Sequence, residues 1–341
     1  MVKRVAMVMV VALAGAAAAS AQSTQPGGGQ ATGQQQPPPS TSVQQPAQPA
    51  GTNGGTDRRP ATTTIMGDTG LWNVPTGEVL PARTWSLSAY RVNFDDNQGF
   101  SDVSNWPVTF AFGVGDRAEI FGSWTLVNRI DRDIRPLFVP TLPEAGGVVP
   151  QNPLARDSWS GNNLGDLWVG GKVALTAPWR QQAAAFALRG MLKLPTGDKD
   201  SGAGTGKLDG AIDAIVSKEL NERVELSGYG GFIFRGSPDE VEETNGFRWG
   251  IGAGFPSRRS LRFTAELTGE QYTKDSLATK TALVATDGST LPAGAAIRPS
   301  SRATASCISY SYVRHTSSGS PSMRMRPSSI QIARVHSCIT W

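Results

Sequence analysis

From Ile65 onward the sequence contains no apolar run of 18 residues, yet large apolar side chains repeatedly alternate with small or polar ones over segments of about 10 residues. This excludes helical membrane spans from that part of the chain. It leaves strands, whose successive side chains point to opposite faces. Trp106, Val108, Phe110, Phe112 and Val114 alternate with Asn105, Pro107, Thr109, Ala111 and Gly113. Phe186, Leu188, Leu192 and Leu194 alternate with Arg189, Met191 and Lys193, and Leu261, Phe263, Ala265 and Leu267 with Arg262, Thr264, Glu266 and Thr268. Phe247, Trp249, Ile251, Ala253 and Phe255 alternate with Arg248 and three glycines, and Leu167, Val169, Val173 and Leu175 with Trp168, Gly170, Lys172 and Ala174. Charges therefore fall on one face of each segment and bulky apolar groups on the other.

A soluble sandwich alternates as well, so the connections carry the distinction. Tight links at Gly115-Asp116, Ala177 to Gln181, Asn221-Glu222 and Pro256 to Ser260 take turns with long ones at 128–165, 195–206 and 235–244. Short turns on one rim and long loops on the other characterise barrels that span a membrane, where unpaired strand edges have no water to bond. Trp85, Trp106, Trp124, Trp168, Trp179 and Trp249 lie in or near strand ends, as aromatic girdles require, with Trp168 on the lumen side. The fold class expected is all-β, an antiparallel transmembrane β-barrel of about 10–12 strands. Nine strands are predicted near 84–94, 105–114, 117–127, 166–176, 183–194, 207–217, 223–234, 245–255 and 260–269. That odd number calls for further strands beyond 270 or a contribution from Ile65 to Val74.

The flanks read differently. Met1 to Ala21 opens with Lys3 and Arg4, continues through the apolar stretch Val5 to Ala19 and ends in Ala19-Ser20-Ala21, the pattern of a cleaved secretory signal peptide. Residues 22–61 are rich in Gln, Pro and Gly and almost free of large apolar side chains, the composition of a disordered linker. The barrel is assigned to 62–295, with 22 Lys+Arg against 27 Asp+Glu, whereas 296–341 carries six Arg, twelve Ser and no acid. That tail also holds Cys307, Cys338, His315 and His336. Its composition suggests a frameshifted or artificial terminus; a genuine basic tail, or a closing strand ending at Trp341, are the alternatives.

Without histidine or cysteine, the body lacks the usual metal ligand and general base, so neither catalytic, cofactor-binding nor metal-binding residues are assigned and no enzyme is expected. Gly202 to Lys207 imitates a phosphate loop, but Ser201 and Leu208 stand where Gly and Ser or Thr are required, and strand alternation follows instead of a helix. Basic residues are scattered through an acidic domain, which argues against nucleic acid as a partner. The charges expected to face the lumen are Lys172, Arg189, Lys193, Arg248, Arg262 and Glu266. They have packing partners to hand in Asp209, Asp213, Glu225 and Glu270.

Gly70-Leu71-Trp72, Val74-Pro75-Thr76-Gly77, Gly115 to Gly122, Gly165-Asp166-Leu167 and Leu194 to Asp198 resemble the N-terminal barrel of OmpA-family outer-membrane proteins. The resemblance implies a structural, envelope-integrity role in the bacterial outer membrane. Its partners would be the lipid bilayer and the barrel-assembly machinery, with peptidoglycan added only if a C-terminal binding domain has been lost. A passive porin-like channel for small solutes is the alternative; a soluble periplasmic β-sandwich binder and an outer-membrane enzyme rank below it.

Overall fold

The computed structural model describes residues 62–96, 101–141, 148–149, 152–176, 184–259, 261–274 and 276–297, together with the backbone of 302–316, 328–334 and 338–340. The signal peptide and linker assigned to 1–61, and the short link at Ala177 to Gln181 with Trp179, lie outside the described residues. So does His336.

Every described element is a strand. In chain order they are β1 (Trp85–Asp96), β2 (Ser101–Val114), β3 (Ala118–Arg132), β4 (Trp159–Asn163), β5 (Leu167–Ala174) and β6 (Ala185–Leu194). Then come β7 (Asp209–Leu220), β8 (Val224–Arg235), β9 (Val241–Glu242), β10 (Gly246–Phe255), β11 (Leu261–Tyr272) and β12 (Leu277–Thr279). The chain continues with β13 (Leu283–Val284), β14 (Thr290–Leu291), β15 (Ala296–Ile297), β16 (Arg302–Thr316), β17 (Ser328–Arg334) and β18 (Cys338–Thr340). All nine strands expected from alternation are present, as β1, β2, β3, β5, β6, β7, β8, β10 and β11.

These nine pair antiparallel in sequence order within a 13-stranded sheet. Closure comes from beyond residue 295: β11 pairs with β16, β16 with β17, and β17 with β1. The ring therefore has eleven strands, with β4 attached to β3 and β18 to β16. Directions alternate around such a ring, so an odd number forces one parallel pair. It occurs between β1 and β17, where Ser86 to Arg91 run alongside Ser329 to Arg334. The composition break at 295 is thus not an edge of the sheet, and Ile65 to Val74 is not one of its strands.

The faces follow the alternation. Phe110, Ile120, Leu188, Leu192, Ile212, Phe234, Ile251 and Phe263 are all exposed on the outward face, while Glu119, Lys172, Arg189, Asp213, Glu225 and Arg262 are buried on the inward one. This inverts the arrangement of a soluble protein, whose large apolar groups go inside.

At the long-loop rim, the segments 137–141, 148–149 and 152–154, with β9 and β12 to β15, build a cap with its own apolar core, including Leu137, Phe138, Leu154, Val241, Leu277, Leu283, Leu291 and Ile297. A three-stranded sheet β15-β12-β9 and the hairpin β13–β14 supply its framework. Within the cap, Asp287 in the β13–β14 turn accepts the Leu137 N–H at 2.7 Å and so joins the two segments.

Candidate functional site

An eight-stranded barrel is just filled by its own side chains, and a ring of eleven leaves space that something else must occupy. Residues 62–84, ahead of β1, fold back into that space as a plug. Its turns are internally bonded: Thr64 N–H donates to the Asp68 carbonyl at 2.8 Å, and Leu71 N–H to that of Val74 at 2.9 Å. Gly67 has φ +100°, and a Cβ there would stand 2.6 Å from the Gly122 carbonyl oxygen, so the plug backbone touches the β3 wall.

Two carboxylates from the wall hold the plug by its backbone. Glu266 on β11 accepts the N–H groups of Trp72, Asn73 and Val74 at 2.5, 2.6 and 3.2 Å. Glu119 on β3 accepts Thr69 N–H at 2.7 Å, Thr69 Oγ1–H at 2.6 Å and Leu80 N–H at 2.8 Å. Ser217 accepts Gly77 N–H at 2.9 Å, and Ser227 donates to the Pro75 carbonyl at 2.5 Å. Trp72 meets Tyr90 edge-on, centroids 4.8 Å apart. The inward glycines of β10 make room: Cβ atoms at Gly252 and Gly254 would lie 2.7 and 3.0 Å from the methyls of Leu71.

Around the plug runs a ladder of buried charge. Lys172 Nζ is 2.9 Å from Glu119 and donates to the Thr69 carbonyl at 2.6 Å. Arg189 bridges Asp213 on β7, at 2.8 Å, and Asp68 on the plug, at 3.1 Å. Arg248 also binds Asp213, with bonds of 2.7 and 2.5 Å. Near the short-turn rim Arg262 reaches Glu225 at 2.9 Å, Thr62 at 3.0 Å and the Ser257 carbonyl at 2.6 Å. Lys193 sits higher, 2.6 Å from Asp209 and 3.4 Å from Asp166. All six charges singled out in the sequence thus lie inside, each engaged by a neighbour or by the plug. Among the described residues no group of three or more His, Cys, Asp or Glu is arranged to hold a metal ion.

Between plug and cap the lumen opens into a chamber of about 430 Å³. Ile65 and Met66 of the plug, Val92 and Phe94 of β1, Trp168 of β5 and the facing pair Asn105 and Asn128 line it on one side. Arg235, Glu243, Glu270 and Tyr272 line it on the other. Arg235 pairs with Glu270 at 2.5 Å, and burial raises the Glu243 carboxyl to about 7, with Arg235 opposing the rise. A larger hollow of about 1110 Å³ lies against the outward wall, where Gly171 and Gly190 face each other across β5 and β6; its lining is almost wholly apolar.

Sequence reading passed over Asp68, Glu119, Asn105, Asn128 and the plug itself. Glu119 alternates with Ile120 in a predicted strand, and the inward glycines of β10 signal a close neighbour; both were visible. Asp68 was not, because the plug is irregular and has no period.

A family model described as "Putative MetA-pathway of phenol degradation" matches residues 120–300, more than half of the chain. No curated protein matches it. The match overturns the resemblance to OmpA-family barrels. The motifs behind that resemblance are turn chemistry that any antiparallel barrel can use: Gly115 takes φ +69° in the β2–β3 turn. Likewise Thr196 and Asp166 accept backbone N–H groups across the loops, those of Leu167 and Gly197.

Proposed function

The chain belongs to this phenol-degradation family, and from that premise we propose that it is an outer-membrane β-barrel that admits small aromatic compounds to the cell, with residues 62–84 as its gate. The observation that carries the reading is the inverted ring: apolar side chains outside, paired charges and a plug inside, an arrangement that suits lipid around the wall and a polar path within. The lipid bilayer and the barrel-assembly machinery are the partners this reading requires, and no reaction is part of it. Export by a cleaved signal at 1–21 and a linker at 22–61 leading to the short-turn rim complete the proposal.

The test is twofold. The full chain is expected in the outer-membrane fraction, with heat-modifiable gel mobility, and intact cells producing it should take up labelled phenol faster than cells without it, whereas lysates consume phenol equally. Recovery in the soluble fraction, or equal uptake by intact cells, refutes the reading. The number of bonds on the plug favours a second reading, a permanently closed barrel with a structural envelope role. It predicts membrane insertion without any change in uptake.

A further inference from the structure

We propose that the chamber above the plug is a binding site for one hydroxylated aromatic ring, with the amides of Asn105 and Asn128 taking the hydroxyl and Phe94 and Trp168 flanking the ring. The proposal deepens the permeation reading and rests on it for the ligand's source. The site itself is argued from the chamber.

Asn105 and Asn128 are direct cross-strand partners on β2 and β3, just beyond the irregularity at Trp106/Pro107. That shift restores the inward direction of Asn128 after an extra residue, so both amides enter the chamber. Asn128 is only 5 % exposed. The Oδ1 atoms of both are buried without a hydrogen-bond partner. A buried amide oxygen left unbonded is costly, and most buried polar groups are satisfied. Two such groups side by side at the wall of a cavity mark a place for a polar ligand atom.

The rest of the lining says which atom. Lys193 is already held by Asp209 and Asp166, and Arg235 by Glu270, so the chamber's cations are engaged by carboxylates and offer little to an anionic ligand. Glu243 adds a further acid. A neutral hydroxyl meets the asparagines better, because it both donates and accepts and so satisfies an amide whichever way it is turned. At about 430 Å³ the chamber is near the lower end of small-molecule sites, and its aromatic and aliphatic walls suit a single ring.

The experiment titrates the purified full chain in detergent with 4-fluorophenol and with fluorobenzene, following ¹⁹F resonances. The wild type is expected to prefer 4-fluorophenol about tenfold or more, as one or two hydrogen bonds in a water-poor site provide. Asn128→Leu, and separately Asn105→Leu, should bring that ratio close to one while fluorobenzene affinity holds or rises. A wild-type ratio near one, as when water alone occupies the amides, overturns the site, and so does a preference that survives both substitutions. Failure of phenol uptake in cells with the preference intact overturns permeation and leaves the site standing; uptake without the preference does the reverse.

Discussion

Removing the carboxylates that grip the plug should unseat it without opening the ring. Glu266 holds three backbone N–H groups and Glu119 two, with a hydroxyl besides. Hydrogen bonds to a charged acceptor contribute roughly 1.5–3 kcal/mol each. Water entering from the chamber recovers part of this, which leaves about 3 kcal/mol per carboxylate as a working figure. At 1.4 kcal/mol per factor of ten, Glu266→Ala should shift the balance between seated and unseated plug by about a hundredfold, and Glu119→Ala with Glu266→Ala by about 10⁴.

Planar-bilayer conductance reads this directly. The wild type should be closed nearly all the time, Glu266→Ala should open in bursts, and the double variant should conduct for most of the recording. Glu266→Gln keeps an acceptor oxygen and should fall between wild type and Glu266→Ala. Heat-modifiable mobility and β-sheet circular dichroism should stay unchanged, since strand pairing runs through the backbone and Lys172, which loses Glu119, keeps Asp68 at 3.6 Å. A double variant as closed as the wild type, with the same thermal midpoint, refutes the idea that these carboxylates seat the plug.

Further consequences concern the wall, the cap and the closure. Arg189→Leu leaves Asp68 with only the more distant Lys172 as its cation, 3.6 Å away, and Asp213 with Arg248 alone, and should lower unfolding stability in urea by about 3 kcal/mol, as breaking a buried ion pair does. Gly252→Val drives a side chain into Leu71 and should cost about 1–3 kcal/mol, much of it recovered in the double variant with Leu71→Ala. Glu243 has its carboxyl raised to about 7 from 4.5, so the folded state holds that proton more tightly than the unfolded chain and loses stability as pH rises from 4.5 through 7. Glu243→Gln should therefore match the wild type near pH 4 and exceed it by about 1–2 kcal/mol at pH 8, measured by urea titration at both values. Truncation after Ile297 removes β16 and β17 and leaves β1 and β11 as open edges, so the product should lose heat-modifiable mobility and aggregate.

What the sequence made legible is what has a period. Strands such as β6, with Phe186, Leu188 and Leu192 against Arg189, Met191 and Lys193, declare both their existence and their faces, because a one-residue slip would put charge into the apolar side. Closure was harder to see. β16 and β17 lie in a segment whose serine and arginine content differs from the rest, and composition is blind to backbone pairing, which any non-proline residue can make. The plug was hidden for the opposite reason: many of its contacts are made through its own N–H and C=O groups, and the N–H bonds of Thr69, Trp72, Asn73 and Leu80 leave no pattern of side chains to read. Only the receiving residues, Glu119 and Glu266, carry the signal. A carboxylate on a lumen face reads equally well as half of an ion pair.

The interior thus divides by depth. Below, Lys172, Arg189, Arg248 and Arg262 each face a carboxylate and the plug is bonded through its backbone; above, Asn105 and Asn128 stand with unbonded oxygens over Ile65 and Met66. Buried ion pairs contribute little net stability over apolar packing, but breaking one is expensive, so such a ladder fixes position more than it adds energy. A plug held that way is stiff against small displacements, and a ligand in the chamber touches it only through Ile65 and Met66. Binding at the asparagines alone therefore supplies too little differential energy to lift the plug, since a ligand shifts an equilibrium only by its difference in affinity between the two states. If aromatic compounds pass, the unseating force has to come from the other rim, where residue 62 meets Arg262 and the chain leads back toward the N-terminus. Phenol added to planar bilayers should accordingly leave the wild-type barrel closed, while a pulling load on an N-terminal tag should open it. Opening by phenol alone would place the gate in the chamber instead.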